Sequence, residues 1–490
     1  MSTPSSNSIA TTKPFHIVQI GCGVVGYAYV KAYLSAGCKV TMIEASPQLI
    51  AKYKKDHTIY HTSDDLTGIT DVDFMMLSIC TPQKGDDLDM SYLYSSVPNV
   101  ATILKKSPKA QVIIRSTIVP TVSDRYTQMI ESATGHKVDV LFQPEFLRAD
   151  TAFEDALNPW HIVLGAKTET STTKLLELYT KFAPREDISV ISIDEAELLK
   201  LFHNCYNAFK ISDFNLFWLL CEAINKRTGK AIDVNAITKM MREKCKGLLE
   251  PEYGTVTGQA YNETDLLEAV AKMVQLEKLL SMPVSLFECV AKVNDQMGGN
   301  KAQQEATIDL DSLDQDELSE LFVKAFNASK ISAFNYYKLV CEAINKRDGK
   351  SIDVNVITKV MSKTCEGLLN VAYATATGHA YYGTCLPKDS VGLAKQEKIL
   401  SIPVSLYAGV VAINNLVKAR DQAQGKGEIL KGDHHMSFDK FKRQKETQDE
   451  KGTKDEKGLT ESEDLDLTLC QIDVKGESFD RQSQAIEATA

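Results

Sequence analysis

Residues 20–26 read "IGCGVVG", and the fold turns on them. The stretch follows an apolar run, "HIVQI" (16–20), and leads into "YAYVKAYLSAG", which reads as a helix. Gly21 suits the tight turn from strand to helix. Gly23 lets a pyrophosphate approach the backbone, and Gly26 lets helix and strand pack closely. The N–H groups that open the helix, with Val25 among their residues, face the phosphates in such a turn. A second strand, "KVTMIE" (39–44), ends on Glu44. A carboxylate there accepts hydrogen bonds from ribose hydroxyls and repels a 2′-phosphate, so the pattern favours NAD over NADP. Taken alone, the glycines also fit a turn without a ligand, and Glu44 a solvated strand-end acid.

Outward from this turn the pattern continues. Further strand candidates are "FMMLSI" (74–79), "QVIIRS" (111–116), "VDVLFQ" (138–143), "HIVLG" (161–165) and "ISVISI" (188–193), with helical stretches between them. Alternation of this kind predicts an α/β fold with a Rossmann-like, doubly wound parallel sheet. Near 195 the character changes, and 196–228 reads as one long apolar helix. The helical block then recurs. "CEAINKR" stands at 221–227 and 341–347, "IDVN" at 232–235 and 352–355, and "KIS" at 210–212 and 330–332, always 120 residues apart. The expected organisation is a disordered arm (1–13), an NAD-binding domain (14–194), a helical domain (195–297), a linker (298–314), a second copy of the helical domain (315–417) and a disordered charged tail (418–490).

At 490 residues the chain has room for two or three domains, and its net charge of −10 argues against general binding of nucleic acid or membrane surfaces. No apolar run is long enough to span a bilayer. The N-terminus, "MSTPSSNSIATTKPF", has no apolar core and no arginine, which argues against a signal or transit peptide. The eleven cysteines form no CxxC pair. They fit reduced thiols in the cytoplasm, without a metal site.

The second helical copy contains "GTCLPKD" (383–389) where the first has "ETDLLEA" (263–269). Spacing alone leaves two readings of Cys385 open, a buried small apolar residue or a nucleophile. Lys388 and a helix N-terminus favour a thiolate, and Asp389 is placed to act as a base towards water.

The ordered blocks resemble the UDP-glucose/GDP-mannose dehydrogenase family. "GHAYYGTCLPKD" (378–389) is similar to the family's run G-x-G-[FY]-G-G-x-C-x-P-K-D. "CTPQKGDDLDMSY" (80–92), "STIVP" (116–120), "QPEFLRADTAFEDALNPWHIVLG" (143–165) and "ELLKLFHNCYNAFKISDFN" (197–215) resemble its other blocks in order. The resemblance implies NAD-dependent oxidation of a nucleotide sugar's primary alcohol to a carboxylate. Cys385 would be the nucleophile, Asp389 would activate water, and Lys200 and Asn204 would stabilise an alkoxide. Glu145 would assist proton transfer. Thr81, Thr117 and Lys388 would lie near the cofactor.

Several positions depart from the family pattern. Ala149 and Asp150 replace a glutamate and a glycine, and Tyr382 replaces a glycine. The expected constellation is also split. The first copy has Lys200 and Asn204 but Asp265 and Ala269, whereas the second has Cys385 and Asp389 but Glu320 and Lys324. The family's C-terminal nucleotide-binding domain has no counterpart in 418–490. Relatives pair their central helices between subunits, so the resemblance implies a homodimer or a heterodimer with a full-length relative. The repeat also predicts an intrachain pairing of the two copies that brings Cys385 towards Lys200. The alternative function is an NAD-binding protein with impaired catalysis that acts through its helices.

Overall fold

The computed structural model describes residues 13–84, 87–147, 151–244, 264–282, 285–298, 308–364, 380–381 and 385–423. Residues 1–12 of the expected arm, the tail beyond 423 and 299–307 of the linker lie outside the described residues. So do Ala149, Asp150, Tyr382 and the side chain of Cys385. The chain divides after Met436, and every described residue belongs to the first unit.

Strands and helices alternate from the start. The order is β1 (His16–Ile20), α1 (Val24–Ser35), β2 (Lys39–Glu44), α2 (Pro47–Tyr53), β3 (Ile59–His61) and β4 (Phe74–Leu77). A short antiparallel pair, β5 (Gln83–Lys84) and β6 (Asp87–Leu88), precedes α3 (Ser91–Ser95) and α4 (Val97–Lys106). Then come β7 (Gln111–Ile114), α5 (Val122–Thr134), β8 (Val140–Phe142), α6 (Ala152–Leu157), β9 (Ile162–Gly165), α7 (Thr173–Tyr179) and β10 (Ile188–Ile191). All seven strands expected from the sequence form. β3 and the β5–β6 pair are additional, too short for a period of two to register.

Eight strands make one sheet in the order β10-β9-β8-β7-β4-β1-β2-β3. Neighbours from β3 to β8 run parallel. β9 meets β8 antiparallel where Gly165 pairs with Phe142, and β10 runs parallel to β9. An apolar run buried on both faces has the same pattern in either direction, so the sequence does not encode this reversal. Side chains alternate between two cores. Val18, Ile20, Met75 and Leu77 face one side, with Ala196 and Leu199, and Ile17, Phe74 and Met76 face the other, with Ala28 and Tyr29. Strand order reverses between β1 and β4, so the crevice at their carboxyl ends is the place for a ligand.

Among the described residues eight helices follow: α8 (Ile193–Thr228), α9 (Val234–Lys244), α10 (Thr264–Leu279), α11 (Leu286–Gln296), α12 (Gln315–Asp348), α13 (Val354–Thr364), α14 (Cys385–Ile399) and α15 (Leu406–Ala423). The last four repeat the first four at the 120-residue offset. Their punctuation repeats as well. A capping box, Ser192 with Glu195, opens α8, and Asp314 with Glu317 opens α12. Gly229 (φ 74°) and Gly349 (φ 65°) end them in the left-handed conformation that favours glycine. Beyond each, an asparagine amide holds both backbone groups of an isoleucine. Asn225 binds Ile232 at 2.8 and 2.9 Å, and Asn345 binds Ile352 at the same distances.

The short helices pack chiefly on the other copy's long helix. α13, α14 and α15 lie on α8, while α9, α10 and α11 lie on α12. The two copies have exchanged their trailing halves. α15 also continues past the expected boundary at 417. Its Arg420 stacks on Trp218 of α8 at 4.2 Å and donates to Glu222 at 2.9 Å, so residues 418–423 are helical rather than part of a tail. Among the described residues no helix is long and apolar enough to cross a membrane.

Candidate active site

The turn after β1 separates its three glycines by function. Gly21 has φ 82° and donates its N–H to the Ile43 carbonyl at 2.9 Å. A Cβ on Gly21 would lie 2.4 Å from the Ser78 carbonyl oxygen, and one on Gly26 would lie 2.0 Å from that of Gly21. Both positions are closed by the fold itself. A Cβ on Gly23 meets nothing within 4 Å, so the open approach is there, next to the half-buried Val25. This is the arrangement that admits a pyrophosphate to backbone N–H groups.

Glu44 ends β2 and is buried. One carboxylate oxygen accepts the Cys22 N–H at 2.6 Å, and the other accepts those of Ala45 and Ser46 at 2.8 and 2.9 Å. Its first task is thus to fix the turn against the strand end. A carboxylate has about four acceptor positions, so it retains capacity for a ribose hydroxyl. Burial, and then Glu44, push the Cys22 thiol well above its ordinary range, which makes it inert filling.

The loops after β4 and β7 are laced together across the crevice. Thr81 donates its hydroxyl to the Thr117 carbonyl at 2.7 Å, and Ser116 Oγ accepts the Ile79 N–H at 2.9 Å. Thr81 is buried and Thr117 half-buried.

The polar centre joins three elements. Glu145 follows β8, and Lys200 and Asn204 sit one turn apart on the same face of α8. The Lys200 ammonium donates to the Glu145 carbonyl at 2.5 Å and lies 3.3 Å from its Oε1. The other carboxylate oxygen of Glu145 accepts the Leu147 N–H at 2.8 Å. Phe146 lies beneath the ammonium, 5.3 Å from ring centre to Nζ, and meets His203 edge-on.

The third element is α14, which comes from the second copy. Asn204 donates its amide to Asp389 Oδ2 at 2.6 Å, and Cys205 Sγ approaches the Asp389 carbonyl at 3.3 Å. Asp389 is 1% exposed, and its Oδ1 accepts no hydrogen bond among the described residues. Lys388 Nζ stands 3.8 Å from that oxygen. Burial raises the Asp389 pKa, against the opposing pull of Lys388, the Asn204 bond and Lys200. Cys385 opens α14 one helical turn before Asp389.

Residues expected on separate copies therefore meet. Lys200, Asn204 and Glu145 lie together with Lys388 and Asp389, and Thr81 and Thr117 lie together across the crevice. The sequence reading missed Ser116, Phe146 and Cys205. Each stands next to a residue it did select, so proximity along the chain was the available signal.

At the repeat-related positions the chemistry differs. Asp265 pairs with Lys324 at 3.2 Å, with side chains 70% and 41% exposed, and Glu320 is exposed. Among the described residues no group of three or more His, Cys, Asp or Glu side chains is placed to hold a metal.

Comparison with known proteins gives the family. Residues 15–183 match the UDP-glucose/GDP-mannose dehydrogenase family, NAD binding domain, and residues 315–416 match that family's central domain. The second match is to the copy that carries Cys385, Lys388 and Asp389. A UDP-glucose 6-dehydrogenase of Haloferax volcanii is 27% identical over 241 residues, 44% of this chain and 56% of that protein. A GDP-mannose 6-dehydrogenase of Pseudomonas syringae pv. syringae is 31% identical over 183 residues, 35% of this chain and 41% of that protein. The chain spans about half the length of the curated relatives it matches. The crystal structure of GDP-mannose dehydrogenase from Pseudomonas aeruginosa superposes with a TM-score of 0.50 at 22% identity, over 58% of this chain and 68% of that one, which speaks to the fold.

Proposed function

The chain belongs to the UDP-glucose/GDP-mannose dehydrogenase family, and from that premise we propose that it oxidises the primary alcohol of a nucleotide sugar to the carboxylate. The cofactor is NAD, and in the proposed reaction it would accept two hydrides per sugar. The observation that carries the reading is the contact of Asn204 with Asp389 beside the Lys200–Glu145 pair. It gathers ammonium, amide and carboxylate at one buried place, although they come from different copies.

In this reading Gly23 and the N–H groups around it receive the pyrophosphate, with Glu44 at the ribose end. Lys200 and Asn204 donate to the alkoxide as the first hydride leaves, an oxyanion-type role. Glu145 holds the ammonium and accepts the alcohol proton. The Cys385 thiolate then adds to the aldehyde carbon. Loss of the second hydride leaves a thioester, and Asp389 takes a proton from the water that cleaves it. The carbon–sulfur bond breaks, the thiolate returns, and the remaining protons pass to solvent.

A second reading is an NAD-binding protein without turnover. It is favoured by Ala149 and Tyr382, which stand where relatives are expected to have a glutamate and a glycine. One assay separates the two: NADH formation with a panel of UDP- and GDP-sugars, alongside Cys385→Ser. NADH that disappears in the variant supports the enzyme. NAD binding without NADH for any sugar supports the second reading and overturns the first.

A further inference from the structure

The packing of the two helical copies follows a rule. Ser212 Oγ donates to the Val410 carbonyl at 3.2 Å, and its repeat mate Ser332 donates to that of Val290 at 3.0 Å. Phe202 stacks on Tyr337 at 4.2 Å, and their mates Phe322 and Phe217 stack at 4.3 Å. The Asp233 N–H meets the Gln315 side chain at 3.2 Å, and the Asp353 N–H meets that of Glu195 at 3.2 Å. Residue i touches j, and the mate of i touches the mate of j. That reciprocity is the mark of a twofold, self-complementary interface of the kind that pairs identical subunits.

Here both halves of the interface lie on one chain. We propose that residues 193–423 are a dimer folded into a single polypeptide, in which the second copy is the built-in partner of the first and leaves no α8–α12 face for another chain. Residues 297–314 tether the copies, so pairing occurs at the high effective concentration of a short linker and outcompetes association between chains.

The twofold is broken at its functional ends. α8 presents Ala196 to Gly165 and Lys200 to Glu145 of the NAD-binding domain, and Asn204 to Asp389 of the second copy, whereas the mates on α12 are Asp316, Glu320 and Lys324. Asp316 and Glu320 are exposed, and Lys324, the mate of Asn204, is paired with Asp265. Among the described residues, the second end of the pseudo-dimer is thus surfaced for water at these positions. The candidate active site is incomplete without Asp389 from the second copy.

The inference stands on helix packing and does not depend on turnover. Its test is zero-length carbodiimide cross-linking of the full chain, followed by separation on a denaturing gel and peptide mass spectrometry. Cross-links Lys324–Asp265 (3.2 Å) and Lys350–Asp194 (3.0 Å) are expected in the band of one chain, 54.2 kDa. Lys174–Asp73, 2.7 Å apart within the NAD-binding domain, is the internal control. The two cross-links in the band of two chains, or the control without them, would overturn the proposal.

Discussion

Asp389 is the residue whose surroundings say most about the chemistry. Its carboxyl is buried and its pKa is raised, chiefly by burial, so the base form is reached only above the ordinary aspartate range. The limb of kcat/KM that rises with pH should therefore lie at higher pH than a solvated aspartate would give. Lys388 is the nearest opposing charge, so Lys388→Met should move that limb further up, and a pH–rate profile reads the shift. Asp389→Asn should lower kcat by roughly 10²- to 10⁴-fold while the melting temperature stays level or rises. An amide still accepts from Asn204, and a buried carboxyl has been removed. A melting temperature that falls with the activity would instead make Asp389 structural.

The glycines offer a second test at the same scale. Gly26→Ala should cost at least about 2 kcal/mol, because its Cβ has no space against Gly21. Gly23→Ala should leave stability unchanged and weaken NAD binding by about tenfold, or 1.4 kcal/mol. Titration calorimetry and denaturant unfolding on the two variants separate binding from folding. The sequence offered the three glycines as one motif. Its spacing already assigned Gly21 to the turn, Gly23 to the pyrophosphate and Gly26 to packing, and the surroundings add the physical reason: Ser78 closes the first position and Gly21 the third.

At the scale of the element, two buried glutamates cap helices across the repeat. Glu277 accepts from the Leu286 N–H at 2.9 Å and from Ser285 Oγ at 2.7 Å, at the start of α11. Glu397 accepts from the Tyr407 N–H at 2.6 Å and from the Tyr336 hydroxyl at 3.0 Å, at the start of α15. Burial pushes each pKa up to about 7, although these hydrogen bonds pull the other way. Between the ordinary value of 4.5 and about 7, the folded chain keeps protons that the unfolded chain has released. Stability contributed by these groups is present below 4.5 and is lost as pH rises through 7. Glu277→Gln and Glu397→Gln should each flatten that decline, on the order of 1 kcal/mol per pH unit, in urea unfolding across the window. Slopes equal to the parent's in both variants would remove the caps from the pH account. The helices themselves were legible from apolar periodicity and repeated punctuation. Neither the reversal of β9 nor the burial of these acids was, since a pattern of apolar positions specifies a face and not what covers it.

For the whole molecule, Lys350 ties the second copy to the NAD-binding domain. Its ammonium donates to Asp124 on α5 at 2.6 Å and to Asp194 on α8 at 3.0 Å. The repeat mate Lys230 instead holds the carbonyls of Leu310 and Asp311, at 3.2 and 2.7 Å, before α12. Lys350→Met should cost about 1 kcal/mol and reduce the salt dependence of unfolding, because one partner of a half-screened network is lost. No change in either quantity would mean that apolar packing alone seats the copy. The sequence by itself determined the parallel-dominated sheet, the cofactor turn and the existence of two helical copies, because each is written in local periodicity and spacing. The repeat also raised an intrachain pairing of the copies as an expectation, but only the tertiary structure decided that they exchange their trailing helices, and so that Asn204 meets Asp389. The copies present nearly the same apolar positions, and hydrophobic burial is non-directional, so a short helix fits either long helix by pattern. Which one it meets is settled by contacts formed only in the folded chain, such as Asn204 with Asp389, Ser212 with Val410 and Arg420 with Trp218.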